Sequence, residues 1–150
     1  MTIAKRMNLF IDIDGVLLGK SPETKKPALA NYAKELLEYS LHNFDCYWLT
    51  THCKGSSETA IDYLRNYSDE GFLSLAQKIK PTNFKTFKIE ALFGDFLWID
   101  DQPTAYEFQY LEENNLLNRW LQVNTRKNFN ELSLIISDLK KSNPFADIQN

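Results

Sequence analysis

Residues 7–15 read MNLFIDIDG, a short apolar run of strand-forming residues that closes on two aspartates and a glycine. The run is apolar throughout rather than alternating, which is how a strand reads when a parallel sheet buries both of its faces. Gly15 supplies freedom for a turn just beyond the strand. The pattern recurs: residues 46–49 (CYWL) close on Thr50-Thr51-His52, and residues 96–99 (FLWI) close on Asp100-Asp101-Gln102-Pro103. A further apolar run, residues 120–123 (WLQV), gives a last strand.

Helical patterns separate these runs. Residues 28–41 carry Leu29, Ala33, Leu36, Leu37 and Leu41 at helical spacing, with Pro27 suited to a first turn. Ser56 or Ser57 can cap a helix through about residue 67 that buries Ala60, Ile61 and Leu64. Shorter helical stretches are predicted over 70–78 and 86–93, another over 104–113, and a closing helix over 130–141, before a flexible tail at 142–150. The alternation predicts a three-layer α/β/α, Rossmann-like fold with a mostly parallel central sheet covered on both faces. In such sheets ligands bind outside the carboxyl ends of the strands. The groups closing the apolar runs therefore meet at one edge, although they lie far apart in sequence.

The chain of 150 residues suits a single domain spanning 1–150, and 43% hydrophobic with 25% charged residues is ordinary for a globular protein. A net charge of -3 does not indicate nucleic acid as a partner. Two cysteines give no disulfide framework of the secreted kind, and the first apolar run is too interrupted by acids to be a signal-peptide core. No membrane association is expected, and the expected compartment is the cytoplasm.

Asp12, Asp14, Asp100 and Asp101 converging on one edge would repel one another, so a bound cation is expected. Hard oxygen donors without a histidine or cysteine set favour Mg²⁺, which commonly joins carboxylates to a substrate phosphate. A phosphate held there is open to attack by a carboxylate, with Asp12 the candidate nucleophile and Asp14 the candidate acid and base. The Thr50 hydroxyl can donate to phosphate oxygens, and a lysine can offset the developing charge.

These residues resemble the haloacid dehalogenase-like (HAD) superfamily of phosphatases over most of the chain. Residues 10–18 (FIDIDGVLL) resemble its first motif, which implies Asp12 as nucleophile of an aspartyl-phosphate mechanism and Asp14 as acid/base. Residues 48–50 (WLT) resemble its second, implying phosphate binding by Thr50, and residues 98–103 (WIDDQP) its acidic fourth. The fourth implies that Asp101 or Asp100 holds magnesium beside Asp12 and the backbone carbonyl of Asp14, with Asp101 favoured. For the motif lysine, Lys88 matches best, Lys85 is the reserve, and Lys80 also precedes the third apolar run. The short spacings imply a capless or minimally capped member, open to phosphorylated substrates that include macromolecules.

His52 is a further candidate for substrate contact and Cys53 for a reactive thiol, while the aromatics of 106–110 read as helix packing. A different class of function uses the same fold: a non-catalytic module that binds phosphate or a partner. Transfer of the phosphoryl group to an acceptor other than water would use the same residues. Residues 19–27 and 53–81 are where specificity is expected, since fold alone does not select a substrate.

Overall fold

The computed structural model describes residues 6–142. In chain order its elements are β1 (Asn8–Ile11), β2 (Leu18–Lys20), β3 (Pro27–Leu29), α1 (Ala33–Asn43), β4 (Asp45–Trp48), α2 (Ser57–Arg65) and α3 (Glu70–Ala76). There follow a 3-10 turn at Lys88–Ala91, β5 (Phe96–Asp100), α4 (Ala105–Glu113), a second 3-10 turn at Leu117–Arg119, β6 (Trp120–Gln122) and α5 (Leu132–Ser142). The central sheet has the order β4-β1-β5-β6 and every pairing in it is parallel. The fold is thus α/β, with a four-stranded parallel sheet flanked by helices.

The register explains the continuously apolar strands. Leu9 lies between Cys46 and Leu97, and Ile11 between Trp48 and Ile99. These residues share one core with the inner faces of α1, α2, α3 and α5. Phe10 and Trp98, one residue out of phase, belong to a smaller core on the other face with Phe96, Leu111 of α4 and the loop residues Phe84 and Ile89. Both faces are therefore covered, but unequally. The outer edge of β4 is closed by main-chain pairing: Lys80 N–H donates to Cys46 O at 3.0 Å and Trp48 N–H to Lys80 O at 2.8 Å.

Two of the predicted helices change. The helix expected from residue 28 starts only at Ala33, because Pro27–Leu29 pairs antiparallel with Leu18–Lys20 in a separate hairpin. Proline is tolerated at the end of so short a ladder, and Tyr32, at φ 69, interrupts any helical run into α1. The stretch 86–93 contracts to a single 3-10 turn. The closing helix reaches Ser142, and the rest of the expected tail lies outside the described residues. Among the described residues no helix is long and apolar enough to cross a membrane.

Phe10 is fully buried at the centre of β1, stacked on Tyr47 at 5.4 Å and edge-on to Phe93 and Phe96. Phe10→Ala is expected to cost about 3–5 kcal/mol by denaturant unfolding. Leu134→Ala, on the exposed face of α5, should stay within about 0.5 kcal/mol. Similar losses for the two would contradict the assignment of the smaller core.

Candidate active site

Asp12 is the first residue past β1, and its N–H donates to Ile99 O of β5 at 3.1 Å. Asp100 ends β5 itself. The pairing of these central strands thus sets two carboxylates side by side, and both are buried, at 6% and 1% exposure. Lys88 lies between them: its Nζ donates to Asp12 Oδ2 at 3.0 Å and to Asp100 Oδ2 at 2.7 Å. The other Asp12 oxygen accepts from Ile13 N–H at 2.7 Å, so both of its oxygens have partners.

The turn that carries Lys88 is tied down at both ends. Glu90 accepts main-chain N–H donors from Lys85 at 3.0 Å and Phe87 at 2.8 Å, and these bonds hold its carboxyl below its usual range. Ile89 N–H donates to Oε2 of buried Glu107 at 3.3 Å, while Glu107 Oε1 accepts from Thr104 N–H at 2.9 Å. Thr104 Oγ1 accepts from Glu107 N–H in return, a capping box that starts α4. Thr104-x-x-Glu107 is legible in the sequence as a cap, but its link to the lysine turn is not. Lys85 stays exposed, and Lys80 extends over the Tyr47 ring at 5.6 Å, so of the three lysines Lys88 is the one brought to the carboxylates.

Burial dominates the electrostatics. It raises the Asp12 carboxyl above the ordinary value even though Lys88 pulls the other way. It also pushes Asp100 up to about 8, with the Asp12 charge adding to the rise and Lys88 opposing it. Burial would lower Lys88, but the two carboxylates outweigh it and hold the ammonium above its usual value. One lysine therefore leaves two buried acids incompletely neutralised.

Asp101 joins them: ligand oxygens of Asp12, Asp100 and Asp101 all lie within 4.8 Å of one another. The set is all-carboxylate and partly buried, the donor chemistry that suits a hard divalent cation such as magnesium. Asp101 Oδ2 also accepts from Arg126 Nη1 at 3.2 Å, and its Oδ1 from Gln102 N–H at 2.8 Å. A Cβ on Gly15 would come within 2.7 Å of Asp101 Oδ2, and Gly15 has φ +78, so any other residue here would strain the turn and push the Asp101 carboxylate aside.

The expected four-acid cluster is three acids and one apart. The chain leaves the strand conformation at Ile11, and the Asp14 side chain is engaged elsewhere. Tyr63 OH donates to Asp14 Oδ1 at 2.7 Å, and His52 Nε2 lies 2.7 Å from Asp14 Oδ2. The His52 and Tyr63 rings stack at 3.7 Å and 11°. Burial and the Asp14 charge both raise the Tyr63 hydroxyl above its usual value, which keeps it a donor. Tyr63 was not among the residues expected from sequence.

Thr50 is buried just past β4, where Leu49 N–H donates to Ile11 O at 2.9 Å. Its hydroxyl accepts from His52 N–H at 3.3 Å and also acts on the Asp12 carboxyl. Cys53 does not fit a reactive thiol: it is fully buried, with Sγ 3.7 Å from Thr82 O. A cavity of about 480 Å³ lined by Arg6, His42 and Asp45 opens where β4 begins, the end opposite the acids. Of the aromatics of 106–110, Tyr106 stacks on Phe87 at 4.5 Å and Phe108 meets Trp120 edge-on at 6.3 Å, while all three rings stay partly exposed and Glu107 and Leu111 are buried.

Asp12 and Asp100 carry folded-state values above their unfolded ones, so their protonated forms favour the fold. That stabilisation is present in acid and is lost as pH rises through the folded values, about 8 for Asp100. In EDTA, stability should fall between about pH 5 and pH 8, and Asp100→Asn should flatten the fall. Parallel melting-temperature profiles for the two proteins would count against this charge balance.

No family model, curated protein or solved structure matches the chain.

Proposed function

We propose that the chain is a HAD-like, magnesium-dependent phosphomonoester hydrolase that works through an aspartyl-phosphate on Asp12. The observation that carries this reading is Lys88 Nζ bonded to both Asp12 and Asp100 within a cluster of three carboxylates at the carboxyl edge of a parallel sheet. Separated carboxylate roles add support: Asp12 is buried beside a cation, while Asp14 stands apart on a tyrosine and a histidine. Two unpaired, buried cysteines fit the cytoplasmic compartment expected from sequence.

Asp12, as the carboxylate beside the Lys88 ammonium, attacks phosphorus. The bond from phosphorus to the leaving oxygen breaks, its electron pair goes to that oxygen, and the Asp14 carboxyl delivers the proton. Asp14, now a carboxylate, takes a proton from water, whose oxygen attacks the aspartyl-phosphate, returning the Asp12 carboxylate and releasing phosphate. Tyr63 and His52 hold Asp14 in one orientation through both steps. The Thr50 hydroxyl and Lys88 ammonium donate to phosphate oxygens as charge builds. Asp12 with Asp101 or Asp100 would hold magnesium, which supplies further positive charge beside those oxygens. The hairpin of β2 and β3 is the one elaboration between β1 and α1, so the site stays open enough for phosphorylated substrates up to macromolecular size.

Release of inorganic phosphate from an aryl phosphate tests the reading. Turnover should need Mg²⁺, vanish with EDTA and fall below detection for Asp12→Asn. Lys88→Met should lower kcat about 10²–10³-fold. Asp14→Asn should lower it about 10²–10⁴-fold. Tyr63→Phe, which leaves Asp14 in place with one donor fewer, should cost about tenfold. Magnesium binding without turnover of any phosphorylated substrate would favour the non-catalytic phosphate-binding module instead.

A further inference from the structure

A second cavity, about 350 Å³, has Asp14, Gly19, Lys20, Lys25, Tyr63 and Arg126 among its walls, while Asp12, Lys88 and Asp100 lie outside its lining. It is built by the hairpin of β2 and β3, and that hairpin is fixed rather than loose. Thr125 N–H donates to Gly15 O at 2.9 Å, its hydroxyl to Leu18 O at 3.2 Å, and Lys20 N–H to Thr125 O at 3.4 Å. A Cβ on Gly19 would come within 2.4 Å of Thr125 O, so only glycine allows this contact. The anchoring places Arg126, which follows Thr125, in the lining of the same cavity as Lys20 and Lys25. At the other end Lys25, at φ 64, turns the hairpin with its N–H on Ser21 O at 2.9 Å.

The lining holds three cations against the single charge of Asp14. Arg126 already meets Asp101, whereas Lys20 and Lys25 have no carboxylate partner among the described residues. Lys20, Lys25 and Arg126 are solvent-exposed yet gathered on the walls of one cavity, where their like charges repel one another and an incoming anion relieves that repulsion. Asp14 forms part of the same wall, so whatever receives its proton extends into this cavity. Its size suits a small organic group rather than one phosphate alone.

We propose that this cavity receives the leaving group of the substrate, and that the leaving group carries a second phosphate, held by Lys20, Lys25 and Arg126. The inference rests on the hydrolase reading for its geometry, with the scissile phosphate at Asp12 and the second one beyond Asp14. The substrate class is then an organic bisphosphate, or a phosphorylated end followed by a further phosphate.

Two probes differ only in that group: phenyl phosphate and 1,4-phenylene bisphosphate. The wild-type kcat/KM should favour the bisphosphate by about tenfold, beyond the factor of about two from its having two equivalent ends. Lys20→Gln with Lys25→Asn, asparagine being at ease in the left-handed region, should remove the preference and leave phenyl phosphate turnover as it was. Equal kcat/KM for the two probes in the wild type, or a preference that survives in the double variant, overturns the proposal. Equilibrium binding of the bisphosphate to Asp12→Asn, with and without the two lysine substitutions, separates the two ideas. If nothing is turned over but the lysine substitutions weaken binding about tenfold, the hydrolase reading fails and the cavity assignment stands. Binding unchanged by the substitutions overturns the cavity assignment whatever the turnover.

Discussion

Two buried carboxylates, Asp12 and Asp100, stand side by side with one ammonium between them. The arrangement follows directly from the sheet, because β1 and β5 are adjacent and in register, Ile11 against Ile99, so their next residues must be neighbours. Burying like charges is costly, and a fold with this strand order keeps them only if something else neutralises them. Much of the remaining site answers that need. A turn held by Glu90 and Glu107 presents Lys88, Arg126 reaches Asp101, and Gly15 leaves the space in which Asp101 can approach.

The same constraint divides labour among the acids. Asp12 and Asp14 are two residues apart, a spacing that in a strand would put both on one face. The strand ends at Ile11, and Gly15 turns the chain, so Asp14 moves to a second environment made by Tyr63 and His52. The hairpin that follows Gly15 then forms a basic wall beside Asp14, so the turn, the Asp14 carboxyl and the cavity next to it are set by one short segment.

The central strands and the acids closing them were legible because parallel strands buried on both faces leave an unmistakable apolar run, and ligands gather where such runs end. The hairpin was not, since Pro27, Ala28 and Leu29 fit a first helical turn as well as a strand, and only pairing with Leu18–Lys20 decides between them. Among Lys80, Lys85 and Lys88, spacing alone left all three open, and only the family resemblance favoured the last. The choice depends on main-chain bonds to Glu90 and on Glu107, a residue whose visible signal was only a helix cap. Tyr63 was hidden for a related reason: it meets Asp14 across 49 residues of sequence, and on a helix beside Leu64 it reads as core. In α4 Glu107 and Leu111 take the buried face, and the aromatics pack at its flanks, Tyr106 on Phe87 and Phe108 on Trp120.

The central claim is that Asp12 itself carries the phosphoryl group. Quenching the protein during incubation with an aryl phosphate and Mg²⁺, reducing with borohydride and mapping the peptides by mass spectrometry tests it directly. An acyl phosphate on Asp12 is reduced to homoserine, so the account predicts homoserine at position 12 in wild type and none in Asp14-bearing Asp12→Asn. Phosphate release with an unmodified Asp12 would contradict it.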